Sequence, residues 1–219
     1  MAITKRAETG LLAGAVIVGV IASLTFALSV REHAAIAPIL LALPLAGVLL
    51  FLGRLRWFGA IYLIASIGAA YFLSVGAAIL VFNWLDIGMC LFCSPEDAAE
   101  HFRRTLLKQQ LVGATGGLVG GLLSYLALMP LGARLRDRRA LTFMGVALPL
   151  LALCGAVGFT GALPGMTTRL IDPAAPNAAA LQTVLFIAPW QLIFGATLAA
   201  LLLRHAPKPR ASPPPQHRA

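Results

Sequence analysis

Charge is what this chain lacks most. Only 11% of its 219 residues are Asp, Glu, Lys or Arg, while 59% are apolar; a soluble domain carries about a quarter charged residues and close to half apolar. The shortage excludes a soluble helical fold, whose outer helix faces must be polar. No acidic or basic residue falls deep inside an apolar run, where the proton and ion relays of coupled transporters place them. Histidine occurs four times, as His33, His101, His205 and His217. All stand at the ends of apolar runs or beyond them, so none can meet another in mid-membrane, as a bis-histidine haem requires. The glycine-rich phosphate loop, the HExxH pair and the nucleophile elbow are also missing, and with them the chemistries they carry.

What is present is a set of six apolar runs, at about 11–30, 34–53, 58–85, 111–131, 140–163 and 181–203. About 20 apolar residues at 1.5 Å each cross a bilayer as a helix. The runs are solid rather than alternating, which excludes a spanning barrel. The third run is long enough that it must tilt or emerge among the headgroups. The expected fold is all-α: a polytopic bundle of six transmembrane helices over residues 1–206. Residues 207–219 are Pro-rich and basic, cannot bury a core, and read as a disordered cytoplasmic tail. Lys5 and Arg6 ahead of the first run resemble a signal peptide, but the run exceeds a usual signal core and reads as an uncleaved anchor.

The net charge of +9 could suit nucleic acid or a membrane surface. The cations sit in short clusters between apolar runs, without interleaved aromatics, so no nucleic-acid partner is expected. Lipid is the expected partner, with other membrane subunits as further candidates. Lys5, Arg6, Arg54, Arg56, Arg134, Arg136, Arg138, Arg139, Arg204, Lys208, Arg210 and Arg218 make twelve cations on one side; Arg31, Arg103, Arg104, Lys108 and Arg169 make five on the other. The positive-inside rule puts the twelve in the cytoplasm, with both termini, in an inner (plasma) membrane.

Small residues and prolines pattern the runs. Gly113, Gly117 and Gly121 recur at a spacing of four, with Gly116 and Gly120 on an adjoining stripe, so another helix can approach closely there. Contact within the chain is the expected use, ahead of a dimer face. Pro38, Pro44, Pro149 and Pro189 interrupt three runs, each removing a backbone hydrogen bond. Ala-Leu-Pro-Leu occurs at 42–45 and again at 147–150. The repeat fits two inverted three-helix halves, as in some transporters, or coincidence in a chain so rich in Ala and Leu. Asn83, Gln182 and Gln191 are the main polar groups in or near the runs, and hydrogen bonds between helices account for them.

Chemical potential concentrates between the third and fourth runs. Ser94, Pro95 and Asp97 write a helix start. Glu96, Asp97 and Glu100 precede Arg103, Arg104 and Lys108, an order that complements the helix dipole; a short interfacial helix is expected over about 95–108. Cys90 and Cys93 stand just before it with Cys-x-x-Cys spacing, and the dipole favours a thiolate at Cys93. Three readings remain open. One is a catalytic redox dithiol on the oxidising outer side. Another is a thiolate metal site in which His101, Met89 or a carboxylate joins Cys90 and Cys93. The third is a local disulfide or a pair of packed thiols, although cross-linking so short a loop removes little chain entropy. Cys154 falls inside the fifth run as a packed small residue. The outer Cys-x-x-Cys is similar to that of quinone-linked disulfide-forming membrane proteins. That likeness covers the motif alone: those families use a second outer cysteine pair, and here only Cys154 is left over. The sequence names no cofactor. Its leading functional expectation is a non-catalytic bundle, either a subunit of a larger membrane assembly or a permease for a small, weakly charged solute. The alternative is a periplasm-facing thiol-disulfide oxidoreductase or thiolate metal-handling protein.

Overall fold

The computed structural model describes residues 5–29, 37–85, 95–159 and 178–205. Among these residues the chain is all helical, with six α-helices, two short 3-10 turns and no strand. The helices are α1 (Lys5–Ser29), α2 (Ala37–Phe51), α3 (Trp57–Trp84), α4 (Pro95–Leu128), α5 (Arg138–Phe159) and α6 (Ala178–His205). The 3-10 turns, Met129–Leu131 and Ala133–Arg136, link α4 to α5. The stretch containing Cys90 and Cys93, and the tail at 207–219, lie outside the described residues.

Four helical segments, Lys5–Phe26, Trp57–Trp84, Glu100–Leu131 and Arg138–Gly158, are long and apolar enough to cross a membrane. Shorter apolar stretches occupy Ile39–Phe51 and Ala188–Leu203. The fold is that of a helical membrane protein. α3 carries Trp57 and Phe58 at one end and Phe82 and Trp84 at the other, all more than half exposed. At about 1.5 Å per residue these aromatic ends stand about 40 Å apart, the full thickness of a bilayer with its headgroups, where such rings concentrate.

α4 runs unbroken for 34 residues, joining into one helix what the sequence suggests as an interfacial piece and a span. No Gly or Pro occurs between Pro95 and Gly113 to break it, and the Glu100–Arg104 ion pair, 2.5 Å, supports the early turns at a spacing of four. At about 51 Å it exceeds the hydrocarbon core, so its charged first turns extend beyond the apolar layer. α2 ends in a Schellman motif: Gly53 N–H donates to Leu50 O and Arg54 N–H to Leu49 O, both at 2.9 Å. Gly53 holds φ at +65°, a left-handed value open to glycine without a Cβ penalty.

Each helix packs on its sequence neighbours, and α6 returns to α1, so the six form a closed ring. The α4–α5 and α3–α4 interfaces are the most extensive. Many of the fully buried side chains gather at one end: Leu12 of α1, Leu49 of α2, Leu63 of α3, Leu128 of α4, Leu135 before α5 and Leu201 and Leu202 of α6. Glu8 and Arg54 pair beside this plug, with side chains 13% and 10% exposed. Across the bundle, Tyr125 Oη donates to Thr197 Oγ1 at 2.9 Å, and Thr197 donates in turn to Phe194 O.

Candidate functional site

A groove opens between α3 and α4, and α4 makes it possible. Gly113, Gly116 and Gly117 present no side chains there, so the floor is backbone. The other two glycines singled out by the sequence lie just beyond: Gly120 and Gly121. The two stripes meet different helices. A Cβ on Gly117 would run into Leu151 O of α5, and one on Gly121 would come 2.7 Å from Leu151 Cδ1. On the other stripe, a Cβ on Gly116 would lie 3.6 Å from Ala78 Cβ of α3, and one on Gly120 would lie 3.1 Å from Ser74 Cβ. Gly113 acts through its carbonyl, which touches the α carbon side of Gly155 so closely that Gly155 has no room for a Cβ. Gly155 is a partner that sequence reasoning did not single out, since no small residue stands four positions from it on α5.

The resulting cavity holds about 340 Å³, within the range of small-molecule sites, about 300–1,000 Å³. α3 supplies the opposite wall, from Tyr71 and Ser74 through Val75 and Ala78 to Phe82. Gly155 of α5 and Trp190 of α6 complete the lining. No Asp, Glu, Lys, Arg or His lines it. Lys108 Nζ sits 3.8 Å from the centre of the Phe82 ring, a cation–π contact beside the Phe82 end of the groove.

The inner end is more polar. Trp190 stacks on Phe194 with ring centres 5.0 Å apart and 7° between planes. Its Nε1 is buried and has no hydrogen-bond partner among the described residues. Next to it Gln191, 2% exposed, donates from Nε2 to Ser23 Oγ of α1 at 2.7 Å. Gln191 Oε1 is also buried without a partner among the described residues. A second cavity of about 10 Å³ lies here, bounded by Gln191, Ser124 and Gly120, and it shares Tyr71 and Trp190 with the groove. Sequence reasoning assigned Gln191 a helix-to-helix hydrogen bond and did not single out Trp190, Tyr71 or Ser74, since a lone aromatic or serine in an apolar run gives no sign of what it faces.

The sequence's chemical candidates stand apart from this groove. Cys90 and Cys93 lie outside the described residues, and α4 starts at Pro95, two residues beyond Cys93. His101 is half-buried on the early turns of α4. Among the described residues no three His, Cys, Asp or Glu side chains gather as a metal site. Cys154 is a free, half-buried thiol on α5. Asn83 is exposed on the last turn of α3, and the Gln182 side chain lies outside the described residues. No protein-family model, no curated protein and no solved structure matches this chain.

Proposed function

We propose that this is a six-span protein of the inner membrane with both termini in the cytoplasm, and that it acts without covalent chemistry. The groove between α3 and α4 holds a small, weakly charged molecule, as in a permease or in the binding subunit of a larger membrane assembly. The groove itself carries this reading: about 340 Å³ of space within the bundle, floored by glycine backbone and lined by no charged side chain. The twelve-to-five division of cations supports the orientation. Binding of an environment-sensitive apolar dye to the protein in lipid nanodiscs tests the site. Wild type should bind saturably, and Ala78→Leu, which fills the groove, should bind at least about tenfold more weakly. Equal binding by both overturns the reading. Saturable passage of the same dye across proteoliposomes then separates a permease from a binding subunit.

A second reading, a periplasm-facing thiol oxidoreductase or thiolate metal protein using Cys90 and Cys93, draws support from the start of α4 at Pro95. A 34-residue helix begins two residues after Cys93, and the positive end of a helix dipole favours a nearby thiolate.

A further inference from the structure

We propose that the groove selects a molecule with a hydrocarbon body and one uncharged group that both donates and accepts a hydrogen bond, a primary aliphatic alcohol being the simplest case, with that hydroxyl seated at Trp190 and Gln191. The inference rests on the groove being a ligand site and adds what the ligand is.

Shape sets the body. The α3 wall extends from Tyr71 to Phe82, about 16 Å along a helix. A volume of about 340 Å³ along that length has room for a hydrocarbon chain. The walls are aliphatic or aromatic, and the glycine floor lets a chain lie against backbone.

The unmet atoms set the polar end. Trp190 lines the groove and its Nε1 is a donor only; Gln191 borders the adjoining cavity with Trp190, and its Oε1 is an acceptor. Both atoms are buried without partners among the described residues, and an unpaired buried polar group is costly. The adjoining cavity of about 10 Å³ admits about one water-sized oxygen. A hydroxyl of that size accepts from the indole N–H and donates to the amide oxygen. With the amide turned over, Ser23 meets its oxygen and an N–H is left instead; a hydroxyl has two lone pairs and accepts from both. A carboxylate brings a charge with no counter-ion in the lining, and an alkane leaves both protein atoms unmet.

Trp190 is its own reporter. Wild type has three tryptophans, and Trp57 and Trp84 are exposed on α3, so Trp57→Phe/Trp84→Phe leaves only the indole that lines the groove. In nanodiscs, 1-decanol should shift Trp190 emission to the red along a saturable curve, as its oxygen takes the indole proton in hydrogen bonding. Decane should compete for the same space without the red shift and bind about five- to thirtyfold more weakly, the worth of one or two net hydrogen bonds. Decanoate at pH 9 should not compete. Gln191→Leu should narrow the gap between decanol and decane, leaving the share carried by the indole N–H. Should that variant fail to fold, the decanol–decane comparison on the otherwise intact chain decides alone. Equal affinities and no red shift, with saturation retained, overturn the hydroxyl assignment and leave the groove standing as an apolar site, the unmet atoms then being served by a buried water. Saturation by neither compound overturns the groove as a ligand site and this inference with it.

Discussion

Gly117→Ala adds one methyl group at one of the two tightest helix contacts among the described residues. The new Cβ would overlap Leu151 O of α5 and lie 2.9 Å from Leu151 C and 3.3 Å from Ala152 Cα. These are backbone atoms, so no rotamer change relieves them; α4 and α5 must separate by about an ångström to restore contacts near 3.5–4 Å. That interface is one of the two most extensive in the protein, and a gap of about 0.5–1 Å forfeits a quarter to a half of each atom pair's attraction. The expected cost is about 1–3 kcal/mol, a fall in Tm of roughly 2–12 °C at about 2–4 °C per kcal/mol. Gly121→Ala should cost less, because it meets the Leu151 and Leu148 methyl groups, which can rotate away. Gly116→Ala meets Ala78 Cβ at an ordinary 3.6 Å and improves helix propensity by up to about 1 kcal/mol, so its stability should equal or exceed that of wild type. Thermal unfolding of the three variants in one mild detergent reads the ranking directly. A Gly117→Ala protein as stable as Gly116→Ala would refute the close backbone contact.

Three further outcomes are expected. Reporter fusions after Arg56, after Arg139 and at the C-terminus should read cytoplasmic, and fusions near Glu96 and Asp172 should read outer; reversed signals would sink the proposed orientation. Cys90→Ser/Cys93→Ser should leave the cellular phenotype and any co-purifying metal unchanged under the non-catalytic reading, and loss of either would turn the assignment to the thiol reading, with Cys93 as the more reactive thiol. Glu8→Gln should lower stability by about 2 kcal/mol, because Arg54 then stays largely buried without its counter-charge; pairing it with Arg54→Met should recover much of the loss, and an unchanged Tm for Glu8→Gln alone would show that the ion pair contributes nothing.

The sequence by itself determined the solvent and the secondary structure. Scarce charge and solid apolar runs leave an α-helix as the form that satisfies its own backbone in lipid, and the helical, membrane-spanning character of the described chain follows from that local property. Helix ends are local too: Pro95 opens α4, and Gly53 closes α2 through a left-handed turn that its missing side chain permits. The glycine stripes were legible as faces, since a spacing of four is a property of one helix. Which helix each stripe meets was not legible. Gly117 faces α5 and Gly116 faces α3 because the ring places α4 between those two, and the order of a ring depends on how all six helices close. The groove is further from sequence still. It joins Ser74, Gly116, Gly155 and Trp190, residues from four helices with no shared period. The unmet atoms of Trp190 and Gln191 exist as a feature only after every neighbour has been placed, since a polar side chain in an apolar run is satisfied or not by what the tertiary packing sets beside it.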